Sequence, residues 1–336
     1  VTAADRRSLI AFAVAGVLFG GTFVAAKAGL DYFPPLLFVA LRFDVAAVAL
    51  AAYAVVTTPR DELLPTRSDI GGILATGVLA IGLTNALLFV GQEYATSAVA
   101  AIVFSLNPIL TPVFAALLLA DERLSRRGLT GMVLGFVGVA LVVDPEPTTL
   151  LAPDVGTVIL LCGAITGALG SVLIRRAGGT LSSTVRTAWG LPFAAALTHL
   201  LSWMAGESPA AVVWSPEALT ALAYVGLLAG AVAYIAYFGL LDTAGAIRAN
   251  LVFYAVPVVA ALGGWALLGE VVSTLAVGGF VTIFAGFAVI GSESVDADIG
   301  AEIRSRLRRF HDRTPVPADP DSTTDAMDGA RGVEAD

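Results

Sequence analysis

Three charged residues lie inside or at the edge of long apolar runs and are the first side chains here with chemistry to offer: Lys27, Arg42 and Asp44. A charge at the centre of a bilayer costs roughly 2.5 to 3.5 kcal/mol on insertion scales, so one retained there faces protein or water. Arg42 would either neutralise a carboxylate or an organic anion in a cavity, or pair with a backbone carbonyl or with Asp44 and fix packing; the sequence favours packing. Two positions apart on one helix, Arg42 and Asp44 point to different faces, which makes their mutual pairing poor. Asp44 is the only carboxylate clearly inside a run and is the candidate to bind a coupling proton. Lys27, near the end of its run, is expected to snorkel to the interface.

The uncharged polar residues fall on faces. Asn85, Phe89 and Gln92 share one helix face, and Tyr234 and Tyr237 occupy the corresponding region 148 positions on. Asn107 and Thr111 share a second face, as do Asn250, Tyr254 and Pro257. Amides and phenols give donors, acceptors and aromatic surface, which suits a cavity for a small amphiphilic solute. Taken singly, each fits an interhelical hydrogen bond worth about 0.6 kcal/mol; their recurrence on equivalent helices is what supports a cavity. Pro108, Pro112 and Pro257 each remove a helical hydrogen bond in mid-run, predicting hinges or static kinks. The single cysteine, Cys162, and two separated histidines, His199 and His311, predict neither a disulfide nor a metal centre. No Walker or Rossmann glycine pattern occurs, so neither a cofactor nor ATP-driven pumping is expected, and nothing points to nucleic acid.

The elements that must position these residues are membrane helices. Of 336 residues 57% are apolar and 14% charged, with a mean hydropathy of +0.86, against roughly 25% charged in a soluble domain. Continuous apolar runs predict ten spans: 8–30, 34–56, 70–91, 97–119, 128–143, 155–174, 182–204, 218–241, 247–268 and 274–291. A barrel strand would alternate instead. The second five spans repeat the first at a constant offset of 148, which places Lys27 on Arg175, Gly82 on Gly230, Phe89 on Tyr237, Glu122 on Glu270, Gly131 on Gly279 and Gly138 on Gly286. An odd number of spans per unit inverts the second copy, so residues 8–143 and 155–291 form an inverted repeat with a binding site expected between the halves. The glycines are expected at close helix contacts, and Glu122 and Glu270 read as markers of helix ends. Arginines collect at Arg6, Arg60, Arg67, Arg126 and Arg175, whereas the alternate loops carry acids, so both termini are expected in the cytoplasm. A polar lead at Asp5–Arg7 predicts a first span retained as an anchor. Residues 292–336 form a tail in which Ile299, Ile303, Leu307 and Phe310 make an apolar stripe among arginines, followed by a segment too polar to fold.

Taken in order, Gly20-Gly-Thr-Phe-Val-Ala-Ala-Lys27, Leu41-Arg-Phe43, the proline-to-glutamate ends of the fourth and ninth runs, and the glycines of the fifth and tenth resemble the drug/metabolite transporter superfamily, EamA type. The resemblance covers residues 8–291. It implies an all-α, ten-helix secondary carrier in the plasma membrane, typically an exporter of amino acids, drugs or other small metabolites. Ala120-Asp121-Glu122 departs from the Gly-Glu pattern that Gly269-Glu270 keeps. A membrane enzyme acting on lipid-linked substrates and a non-transporting scaffold are the rival classes, and the sequence carries no signal for oligomeric state.

Overall fold

The structure is a computed structural model, and it describes residues 3–119, 125–143, 155–240 and 252–289. Among these residues the chain is helical without strands, and ten long helices fall on the ten apolar runs. They are α1 (Ala3–Gly29), α2 (Pro35–Thr57), α3 (Ile70–Gln92), α4 (Ser97–Leu118), α5 (Arg126–Val143), α6 (Val155–Ala177), α7 (Ser183–Met204), α8 (Pro216–Leu240), α9 (Val252–Leu268) and α10 (Thr274–Val289). Of these, α1, α2, α3, α4, α6 and α8 are long and apolar enough to cross a bilayer. Large apolar side chains such as Val48, Val56, Leu117, Trp203 and Leu267 lie exposed on the bundle surface. Such a surface suits hydrocarbon and would be an aggregation liability in water. The chain is a multi-pass membrane protein.

Helix starts follow local chemistry. Thr96, Ser182 and Ser215 cap α4, α7 and α8 by accepting from Val99, Val185 and Ala218 N–H, and Pro216 opens α8 where no donor is needed. The start of α2 has prolines and no side-chain cap of its own. Its orphan donors go across the bundle instead: Leu36 N and Leu37 N donate to Glu207, in the α7–α8 connection, at 3.1 and 2.7 Å. The equivalent approach to α7 is held by Asp69, in the α2–α3 connection, which accepts from Thr180 N at 2.7 Å and Leu181 N at 3.2 Å. Each half thus braces the α2-type helix of the other.

Asp69 is 2% exposed, and hydrogen bonds from the Thr66 hydroxyl, then the Thr66, Thr180 and Leu181 amides, hold its carboxyl well below the usual carboxylate range. A depressed folded-state pKa contributes stability that is complete above the unfolded value and disappears as pH falls through the folded one. Asp69→Asn should lower the melting midpoint by several degrees at neutral pH. The gap to the parent should close only in strong acid, as read by thermal unfolding in detergent across pH.

Two helices depart from regular winding at equivalent places. Over Ala75–Leu83 in α3 and Tyr224–Val232 in α8 the backbone widens to π-helical turns. A Cβ on Gly82 would stand 2.6 Å from Gly77 O, and one on Gly230 would stand 3.0 Å from Val225 O, each being the carbonyl five residues back. Thr84 fills in by donating its hydroxyl to Leu79 O at 2.7 Å. A third irregularity lies in α4, where a turn at Ser105–Leu106 separates Ser97–Phe104 from Asn107–Leu118. Pro108 lacks the N–H that would have bridged this break, and Pro112 lies inside the second segment.

Packing pairs exchange under the repeat. α2 and α7, which are repeat-equivalent, cross at the centre; α1 packs on α9 as α6 does on α4; and the widened part of α3 packs on α7 as that of α8 does on α2. Gly131 faces Gly286, and Gly138 faces Gly279, so α5 and α10 cross antiparallel. The aromatic core at one end stacks Phe33 on Phe38 at 4.6 Å, with Phe89 edge-on to Phe38 at 5.3 Å.

Candidate functional site

Arg42 lies at the junction of α2, α3 and α8. It is 3% exposed, and its Nη1 donates to Asn85 Oδ1, 3.0 Å away on α3. Asn85 is oriented in turn, because its Nδ2 donates to Ile81 O at 2.8 Å. The guanidinium carbon stands 5.2 Å from the Phe43 ring centre and 5.4 Å from that of Phe89. The Nε donor is buried without a partner. Tyr234 of α8 lies within electrostatic range. Asn85 and Tyr234 each follow a π-helical segment by two residues, so the two widened turns flank the arginine.

An aromatic cluster extends from this point. Phe19 of α1 meets Tyr234 at 5.3 Å, Tyr237 at 6.1 Å and Phe253 of α9 at 6.2 Å, while Tyr237 and Phe253 lie 5.5 Å apart. Phe253 also lines a narrow crevice with Ser105 and Pro108, at the α4 break, and with Phe280, Ile283, Phe284 and Phe287 of α10. The arrangement brings a buried cation, neutral donors and acceptors, and aromatic surface together from both repeats.

A second network closes the end of the bundle where α1, α3 and α9 finish. Lys27 Nζ donates to Gln92 O at 2.6 Å, a favourable place for a cation at the C-terminus of α3. Gln92, fully buried, donates to Phe23 O at 2.8 Å. Both carboxylate oxygens of Glu270 accept from Ser97 N at 3.0 Å, and the Ser97 hydroxyl lies 3.2 Å from both Glu270 Oε1 and Phe23 O. Nearby, partial burial and then repulsion from Glu207 push the Glu93 carboxyl up, with Lys27 opposing.

The EamA-like transporter family model matches residues 6–144 and again residues 154–292. The chain belongs to the EamA-like transporter family. Similar proteins include the uncharacterized transporter YvbV of Bacillus subtilis, 24% identical across 85% of this chain and 91% of that one. The uncharacterized inner membrane transporter YedA of Escherichia coli is 26% identical across 77% of this chain and 82% of its own. A solved crystal structure shares the fold at a TM-score of 0.57 and 21% identity, covering 85% of this chain and 96% of that one.

In this EamA-like chain, Arg42, Asn85, Phe89, Tyr234 and Tyr237 come together as one neighbourhood. The arginine's partner is Asn85, not a backbone carbonyl or Asp44. Asp44 faces another way: its carboxylate meets His199 Nε2 of α7 at 2.9 Å, with both side chains about half exposed. Gln92 belongs to the closed end instead of the arginine site. Thr111 donates back to Asn107 O at 2.8 Å and is satisfied within its own helix. The Asn107 amide packs against Gly167 of α6, beside Thr84, whose hydroxyl lies 3.1 Å from that of Thr166. Pro257 is inside α9. Asn250, the Tyr254 side chain, Glu122 and the tail stripe lie outside the described residues. Glu270 is more than a marker of a helix end, since it holds the start of α4 from the other half of the chain. His199 and Ser97 were not apparent from sequence, because their partners are 155 and 173 positions away.

Proposed function

We propose that this protein is a secondary transporter of small organic metabolites, working as an exporter in the plasma membrane. Ten spans in two inverted five-helix repeats rock about a site near the midplane, alternately opening it to each side. The observation that carries this reading is the exchange of helix contacts between halves around one polar and aromatic centre, with repeat-equivalent α5 and α10 crossing antiparallel. Arg60, Arg67, Arg175, Arg176 and Arg186 lie toward the Asp69 end, whereas Asp31, Glu93, Glu207 and Glu270 lie toward the Lys27 end. That asymmetry supports cytoplasmic termini with the Lys27 end facing outward.

Alternating access fits the closed Lys27 end, where groups from both halves interlock. The test is counterflow in proteoliposomes: a carrier preloaded with unlabelled amino acid accumulates the labelled form transiently, whereas an enzyme or scaffold shows no exchange. The Asp44–His199 contact, 2.9 Å between α2 and α7, is our candidate for proton coupling, since it sets a carboxylate against an imidazole across the two halves of the chain. Asp44→Asn should leave counterflow intact and remove the dependence of net transport on a pH gradient; an unchanged gradient dependence would refute that role.

A further inference from the structure

We infer that Arg42 is the anion-recognition point of the central site, and that the transported solute carries a carboxylate or similar planar anion on an apolar or aromatic body. This inference rests on the transporter reading, and it reverses the sequence-based preference for a packing role. Four observations converge on it. Arg42 is 3% exposed although it is the eighth residue of the membrane helix α2. Its hydrogen-bond partner is a neutral amide, Asn85, and no described carboxylate pairs with it; the ionisable group in electrostatic range is the Tyr234 phenol. Its Nε is buried and unmet. The flanking surfaces are aromatic faces, which attract a cation but do not neutralise it.

A buried guanidinium left without a counter-charge is strongly unfavourable unless something supplies one. A packing role would be served by an acid in reach, as Asp69 and Glu207 serve helix starts elsewhere in this chain. Arg42 instead spends Nη1 on Asn85 and keeps the Nε edge of its fork free. That edge, with the adjacent Nη2, is the geometry that takes a carboxylate through two parallel hydrogen bonds. The body of such a solute would meet Phe89, Tyr234 and Phe19, and the aromatic cluster leads through Phe253 to the crevice at the α4 break.

The test uses the full-length protein in detergent and three probes of matched shape: 3-phenylpropionate, 3-phenylpropionamide and 3-phenylpropylammonium, with binding read by thermal shift and equilibrium dialysis. The anion should bind at least about tenfold more tightly than the amide or the amine, the discrimination expected of a paired charge. Arg42→Gln should erase that preference, and Arg42→Lys should keep part of it. Asn85→Asp builds a counter-ion into the site; it should raise the melting midpoint of the ligand-free protein and abolish the anion's shift. Equal binding of all three probes, no binding of any at millimolar concentration, or a preference that survives Arg42→Gln would overturn the inference. So would an Asn85→Asp variant that is no more stable than the parent and still responds to the anion. Arg42-dependent anion binding without counterflow would contradict the transporter reading alone, whereas counterflow of neutral solutes without anion preference would contradict only this one.

Discussion

Glu270→Ala opens the Lys27 end of the bundle. The carboxylate accepts from Ser97 N at 3.0 Å through each oxygen, and it ties the α9–α10 turn to the start of α4 in the other repeat. Its position is set locally: Gly269 adopts φ +68°, which reverses the chain after α9, and Glu270 N donates to Gly264 O at 3.0 Å. Gly264 must lack a side chain, because a Cβ there would collide with the Glu270 carboxylate. Hydrogen bonds to a charged group contribute about 1.5 to 3 kcal/mol when buried, and Glu270 is half-buried. Removing them shifts the closed-to-open equilibrium about tenfold per 1.4 kcal/mol. With Cys162→Ser as background, a cysteine introduced by Val99→Cys should react with an impermeant maleimide at least about tenfold faster when Glu270→Ala is present. Glu270→Gln, which keeps one acceptor, should be intermediate. Equal rates in all three would show that this contact does not hold the end closed.

Gly279→Leu should prevent assembly of the folded bundle. The α5–α10 crossing brings backbone against backbone: a Cβ on Gly279 would collide with Gly138 O, and one on Gly138 would stand 2.7 Å from Gly279 O. Close approach of this kind is how membrane helices gain packing contact. A carbonyl oxygen in a helix cannot move aside as a flexible side chain can, so the helices must separate. Overpacking of a tight contact costs about 1 to 3 kcal/mol where side chains can yield, and more where backbone must. The expected result is loss of the monodisperse peak in fluorescence-detected gel filtration, with Gly279→Ala less severe. Gly278→Leu, at a neighbouring position open on all sides, should behave as the parent.

Much of this fold was legible in the sequence because membrane helices are written in long apolar runs and because the repeat supplies a second reading of each element. Gly131 and Gly138 of α5 and their repeat partners Gly279 and Gly286 of α10 were expected at close contacts, and that is where they lie. The winding changes were not legible. Nothing in Ala75–Leu83 or Tyr224–Val232 breaks apolar periodicity; only the paired Gly82 and Gly230 hinted at special backbone, and glycine also serves plain packing. Face-sharing on single helices grouped Asn85 with Phe89 and Tyr234 with Tyr237, and the structure places both pairs in the neighbourhood of Arg42. It could not find that Asn85 is the partner of Arg42, since that depends on how α2 and α3 are rotated against each other. The same limit misassigned Gln92, whose face-mates lie at the site while its own amide reaches Phe23 O. Phe19 and Phe253 were missed because an aromatic in an apolar run reads as lipid-facing or core until its neighbours are known.

In the proposed mechanism, one site between the halves is reached from both sides of the membrane in turn. Phe253 lines the crevice and joins it to the aromatic cluster, so Phe253→Cys in the Cys162→Ser background places a single thiol on the proposed route. Impermeant thiol reagents applied to right-side-out and to inverted vesicles measure its accessibility from each face. Alternating access predicts labelling from both faces, with Glu270→Ala accelerating the reaction from the Lys27 side and slowing it from the other. Labelling from one face only, unaffected by Glu270→Ala, would contradict it.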